Sequence, residues 1–239
     1  MLYRLGSGEL AETTLDRMSG DEIVDGLPVR ECRSFKGQLH YSGWYWSTSV
    51  SRLVVYESRL ELTRIILADF DPSVVGIIGQ PFRLIGADGS RIRRHVPDLL
   101  LTSASGGVTV VDVKRAELRD EPKVRVQFGW TEAVLAARRW RFESWFGNPP
   151  SSQVVANVRF LARYRRAATV ESSLIPGVLE TVGDGSSIAQ VERSLVGQEL
   201  LLVRPVVMHL LWTGRLVTDL EQRLGQDSVV SLKRAKDGS

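Results

Sequence analysis

Apolar positions along the chain change period several times, and the changes mark the elements. The first thirty residues are polar and weakly periodic, which predicts an irregular or helical N-terminal arm. The stretch "GQLHYSGWYWSTSV" then crowds aromatics between Gly and Ser, the pattern of a short hairpin packed on a core. From Ser58 onward, Leu60, Ile65, Ile66 and Phe70, with Leu62 and Leu67 beside them, form a broad helical face that Asp71-Pro72 brings to a stop. "VVGIIGQPFRLIG" and "RIRRHVPDLLLT" are separated by the turn signal "ADGS", and "GVTVVDVKR" follows "SASGG". Three strands in succession are expected there, a meander behind one helix. Pro122 opens a further helix that good helix formers carry through Arg139, and the apolar tail from Trp140 turns into another strand.

"GNPPSSQ" at 147 to 153 is the strongest cluster of breakers in the chain, and it sets the expected domain boundary, 1–148 before it and 149–239 after it. Beyond it, "VVANVRFLARYRRA" and "SSLIPGVLETVGDGSSIAQVERSLV" read as helices with a Gly-rich break near 183. The last forty residues read as helix, a tight "TGRL" turn, helix, and an apolar stretch able to form a wing. Short helices in this order with a basic end fit a helix-turn-helix or winged-helix module.

Composition narrows the function classes. With 239 residues, 43% hydrophobic, the chain can bury a sizeable core, and no apolar run approaches the length of a membrane span. The N-terminus carries acidic residues where a secretory signal needs an apolar segment, so a cytoplasmic protein with no membrane partner is expected. A single cysteine, Cys32, and three scattered histidines exclude a disulfide framework and a Cys-based zinc site. The net charge of +3 is compatible with a nucleic-acid partner without requiring one. "RIRRH", "RRWR" and "RFLARYRR" gather arginines with almost no acid between them. Each run taken alone fits a solvated face, and each could also meet phosphate. Arg159, Arg163, Arg165 and Arg166 of the last run are the expected points where DNA or a partner meets the chain.

The candidate chemistry lies in "HVPDLLLTSASGGVTVVDVKRAE", where two apolar strands each carry a carboxylate. In a strand, residues two apart share a face, so Asp112 and Lys114 should point the same way. A turn symmetric about Ser105 places Asp98 directly across from Asp112. Like charges opposite one another are unfavourable, and burying them unpaired costs more. A divalent cation removes the conflict. Hard oxygen ligands suit Mg2+ or Mn2+, which keep several waters and take substrate phosphate in the remaining positions. A lysine beside the ion can orient or help deprotonate the attacking water. Against this stands the ordinary alternative, in which Asp98 follows a tight Pro97 turn and "DVK" is an exposed edge pattern with an ion pair.

"HVPDLLL" and "VVDVKRA" resemble the PD-(D/E)xK nuclease core. The run "YESRLELTRIILADFDPSVVGIIGQPFRL" is similar to the catalytic domain of TnsA, the endonuclease subunit of heteromeric transposases. The resemblance spans roughly residues 40 to 120. It implies a restriction-endonuclease-like mixed α/β sheet flanked by helices, followed by a small, mainly helical, winged-helix-like domain. It also implies a catalytic set of Glu61, Asp98, Asp112 and Lys114, with the three carboxylates as metal ligands. The implied activity is cleavage at the 5′ ends of a mobile element. The implied partners are DNA, a TnsB-like DDE transposase that handles the 3′ ends, and a TnsC-like ATPase regulator. Ser58-x-x-Glu61 is equally a capping box, so Glu61 is a ligand, a cap or both, with Glu57 in reserve. His95 is expected to neighbour phosphate, Gln80 to satisfy buried backbone, and Gln127 to line a DNA channel from the following helix. A stand-alone defence or repair nuclease and a non-catalytic DNA-binding scaffold remain open.

Overall fold

Two of the long apolar runs are cut where the backbone cannot continue a strand, and these cuts decide the architecture. Gln80 takes a left-handed φ of 50° just before Pro81, and Pro97 has no amide hydrogen to lend to a ladder. The computed structural model, which describes residues 1–30, 41–183, 185–195 and 200–233, therefore has five strands where three were expected. Cys32 and the start of the aromatic stretch lie outside the described residues. The chain divides into two compact units, Met1–Pro149 and Pro150–Ser239.

The first unit opens with β1 (Leu2–Arg4) and β2 (Leu10–Glu12), an antiparallel hairpin, and the short α1 (Gly20–Val24). The expected irregular or helical arm is thus corrected. Tyr3, Met18, Ile23 and Val24 enter the core with Ile78, Phe82 and Leu100. Each short element contributes one or two apolar residues, too few to register as a period. β3 (Gly43–Ser47) and β4 (Arg52–Tyr56) form the expected hairpin. α2 (Arg59–Phe70) starts where Ser58 accepts a hydrogen bond from the Glu61 amide.

Then follow β5 (Val74–Gly79), β6 (Phe82–Asp88), β7 (Arg91–His95), β8 (Leu99–Ser103) and β9 (Val108–Val113), with α3 (Pro122–Ala136) and β10 (Arg141–Trp145) after them. They do not form one meander. β6 and β7 leave to join the N-terminal hairpin in a sheet ordered β2-β1-β6-β7, and the other sheet is ordered β10-β9-β8-β5. β5, β8 and β9 are antiparallel neighbours, while β10 returns through α3 to run parallel to β9. Leu99, Leu100, Val110 and Val111 of the central pair are fully buried, each stabilising the fold by roughly 1.5–3 kcal/mol. Gly79 permits β4 to close on β5, since a Cβ there would stand 2.4 Å from the Val55 carbonyl oxygen.

The second unit comprises α4 (Ser152–Leu161), α5 (Ile175–Val182), β11 (Ser186–Ser187), α6 (Ile188–Ser194), α7 (Leu200–Trp212), β12 (Leu216–Val217) and β13 (Val229–Leu232). Its small antiparallel sheet is ordered β11-β13-β12. α7 is the core of this unit, with Val203, Val206, Val207, Met208, Leu210 and Leu211 buried. The helix expected after the "TGRL" turn is absent: residues 218–228 form the connection of a β-hairpin instead. The buried Asn157 holds that connection, donating to the Leu220 and Gln222 carbonyls at 2.8 and 2.7 Å and accepting from the Leu224 amide at 3.2 Å. Backbone groups satisfied from outside need no helix of their own. Among the described residues, no helix is long and apolar enough to cross a membrane.

Candidate functional site

Asp98 and Asp112 meet through strand register. Leu99 pairs with Val111, and continuing the ladder by one residue brings Asp98 opposite Asp112, as symmetry about Ser105 requires. The Asp98 main chain is held at both ends, its amide donating to the Val111 carbonyl at 3.1 Å and its carbonyl accepting from the Gln80 amide at 2.9 Å. This contact comes from the Gln80 main chain, and it fixes Asp98 in place.

The Asp98 carboxylate accepts from the Val113 amide at 2.6 Å and from Lys114 Nζ at 3.5 Å, both on Oδ2. Lys114 Nζ also donates to the Val113 carbonyl at 3.2 Å, and its amide donates to the Trp145 carbonyl at 3.0 Å. Burial raises the Asp98 pKa above the usual carboxylate range; the Lys114 ammonium pulls it down and the Asp112 carboxylate pushes it up. Asp98, Asp112 and Lys114 therefore form one electrostatic unit.

Asp112 is completely buried. Its Oδ2 and His95 Nε2 share a hydrogen bond of 2.6 Å, in which the ring donates when the imidazole carries its proton on Nε2. Its Oδ1 is buried with no hydrogen-bond partner. His95 reaches Asp112 from the end of β7.

Glu61 occupies the first turn of α2 and is buried, and its Oε2 accepts from the Glu57 amide at 2.8 Å. The cap is therefore real, but it reaches Glu57 where a standard capping box would close on Ser58. Burial, then the nearby Asp98 charge, push the Glu61 carboxyl up from 4.5 to about 7. The reserve candidate Glu57 supplies the backbone donor of this cap. α2 is tied to the sheet by Arg64, whose Nε and Nη2 donate to the two carboxylate oxygens of Glu143 on β10 at 2.8 and 2.9 Å. This bidentate pair gave no signal in the sequence, since its members stand 79 residues apart.

Glu61 is raised in the folded state, so it stabilises the fold fully below pH 4.5 and loses that contribution as pH rises through about 7. Glu61→Gln keeps an acceptor for the Glu57 amide and removes the charge. In EDTA its fold is expected to exceed the wild type at pH 8 by on the order of 2 kcal/mol and to match it near pH 4.5. Thermal melts at the two pH values check this.

The three carboxylates do not close a cage. Among the described residues, no three His, Cys, Asp or Glu side chains are grouped to hold a metal ion. The pair Asp98 and Asp112, with an orphaned buried oxygen on the second, fits a cation that takes one or two carboxylates and fills its remaining positions with water and phosphate. Glu61 is coupled to Asp98 by charge and spends Oε2 on its cap.

Gln127 lies on α3 with Nε2 buried and unpartnered. The arginine run falls in the second unit: Arg159, Arg163 and Arg166 are exposed, and Arg165 is half-buried with Nη1 donating to the Ala162 carbonyl at 2.7 Å. The Arg163 guanidinium sits 5.7 Å from the centre of the Phe160 ring. Of "RIRRH", Arg93 is paired with Asp88, while Arg91 and Arg94 on the same edge strand are exposed. No family model matches the chain, and no curated protein matches it.

Proposed function

We propose that the chain is a metal-dependent DNA endonuclease of the PD-(D/E)xK type, acting as a TnsA-like subunit that cuts the 5′ ends of a mobile element. The observation that carries this reading is the convergence of Asp98, Asp112 and Lys114 around one buried position with an orphaned carboxylate oxygen. A carboxylate oxygen with no hydrogen-bond partner is costly to bury, and an oxygen-seeking cation at Asp112 Oδ1 offsets that cost. The element order adds support. A helix, three antiparallel strands, a helix and a parallel fourth strand (α2, β5, β8, β9, α3, β10) is the order expected of a restriction-endonuclease-like core, with β6 and β7 as an excursion from it. In the second unit, a three-stranded β11-β13-β12 sheet with α6 and α7 between its first two strands in sequence fits a winged-helix-like module.

In this reading Asp98 and Asp112 hold Mg2+ or Mn2+, with Glu61 close behind. When bound, the ion supplies Lewis acidity toward a scissile phosphate and a water of lowered pKa. Lys114, held at Asp98, places a positive charge and a proton donor at the same point. The Val113 amide keeps Asp98 Oδ2 from swinging away. The exposed arginines of the second unit meet duplex phosphate. The transposition partners are a TnsB-like DDE transposase and a TnsC-like ATPase, and the setting is the nucleoid.

The test is cleavage of a supercoiled plasmid bearing element ends, in Mg2+ or in EDTA, with and without the candidate transposase. The expected result is Mg2+-dependent cutting of 5′ strands that requires the partner. Cutting without the partner would assign the same site to a stand-alone nuclease. Salt-sensitive DNA binding without metal-dependent cutting in any mixture would leave a non-catalytic scaffold.

A further inference from the structure

Two buried aspartates of the first unit are treated in opposite ways. Asp69, 6% exposed, is saturated: Oδ1 accepts from Ser47 Oγ and the Ser49 amide, and Oδ2 accepts from Tyr45 Oη and the Thr48 amide. Asp112, 0% exposed, has one donor on Oδ2 and nothing on Oδ1. The first arrangement is that of a structural anchor. The second leaves one oxygen occupied and one free, and the occupant is His95.

His95 comes from the sheet to which Asp112 does not belong. It ends β7, and the two-residue Val96-Pro97 link separates it from Asp98. One four-residue segment, 95 to 98, therefore meets the 112–114 segment twice, His95 on Asp112 and Asp98 on the Val113 amide and Lys114. The ring is largely shielded, with 12% of its side chain exposed. An N–H donor on one carboxylate oxygen restricts rotation of the group and leaves the other oxygen as the free ligand atom.

We infer that His95 is a positioning residue of the metal site: by donating from Nε2 to Asp112 Oδ2 it fixes the carboxylate so that Oδ1 is presented to the divalent cation. This rests on the metal-dependent reading above. It gives His95 a task in ion affinity, distinct from contact with DNA phosphate.

The experiment is Mn2+ titration of the full chain by calorimetry, without DNA, for the wild type and for His95→Ala, His95→Gln and Asp112→Asn, each also melted thermally. His95→Ala is expected to weaken Mn2+ binding by about 10- to 100-fold. His95→Gln, which retains an amide donor on a side chain of similar reach, should recover most of that loss, and Asp112→Asn should lose binding altogether. Recovery by Gln separates positioning from a general loss of packing, which Gln would not repair. Wild-type affinity in His95→Ala alongside lost binding in Asp112→Asn would overturn the role of His95 and leave the metal reading standing. Wild-type affinity in Asp112→Asn, or no binding by the wild type, would overturn both. Should His95→Ala melt too low to titrate, His95→Gln decides: affinity within about threefold of wild type supports the inference, and a loss as deep as that of Asp112→Asn overturns it.

Discussion

Asp112→Asn is expected to reduce metal-dependent strand cleavage by about three orders of magnitude or more while leaving the protein folded. Asparagine has nearly the shape of aspartate, and its carbonyl oxygen can still accept from His95 Nε2. What it lacks is the charge that, in the function proposed above, draws a divalent cation to the site. Lewis-acid stabilisation by such an ion is worth several kcal/mol, and about 4 kcal/mol is a thousandfold in rate. The same substitution removes a charge that raises the cost of ionising Asp98. Stability in EDTA should therefore hold or rise as activity falls, the opposite signs expected where a site is kept at the expense of the fold. Single-turnover cleavage rates and urea melts of the two proteins check both halves. Cleavage by Asp112→Asn at the wild-type rate would remove this hairpin from the chemistry.

Asp69→Ala should behave in the reverse manner, costing about 3–5 kcal/mol of stability, with no direct effect on chemistry in whatever fraction stays folded. The Asp69 side chain, on the last turn of α2, receives two backbone amides and two hydroxyls from β3 and its turn, at 2.6 to 3.2 Å. Its own carbonyl accepts from Ser49 Oγ at 3.0 Å. Removing the carboxylate strands four donors at once, and a buried donor without a partner costs roughly 1–3 kcal/mol, part of which water entering the exposed turn recovers. Because the network joins the β3–β4 hairpin to α2, its loss should appear as a lower midpoint in urea denaturation. A shift of less than about 1 kcal/mol would mean that the hairpin is anchored by its apolar face alone.

These two aspartates also show how far the chain could be read without its fold. Asp112 was legible because a charge between valines violates the pattern of a buried strand. Symmetry about Ser105 then named Asp98 as its partner, a local inference across one short turn. Asp69 was not legible. It ends a helix close to another acid, an ordinary place for a carboxylate, and its donors come from a hairpin twenty or more residues earlier. The Arg64–Glu143 pair escaped for the same reason at greater range. The contact of His95 with Asp112 was not legible, because only the excursion of β6 and β7 into a second sheet turns its ring toward that carboxylate.

The errors of the reading share a cause. Three strands became five because apolar periodicity cannot register a change of sheet, whereas Gln80 and Pro97 make that change in single residues. The N-terminal arm became a hairpin and part of the core because its buried residues are spread over elements of three to five residues. The helix placed after "TGRL" gave way to a loop whose carbonyls and amide Asn157 satisfies from 63 to 67 residues away.

What the sequence by itself determined is what local chemistry determines: the capped helix at Ser58, the β3–β4 hairpin, the register of β8 on β9, and the facing of Asp98 and Asp112. The tertiary structure decided which oxygen of Asp112 is held and which is free, what Glu61 does besides capping, and how two sheets share the strands between Val74 and Val113. The physical reason is range. Period and turn chemistry act over a few residues, but burial and hydrogen-bond saturation depend on groups that only the closed fold brings together.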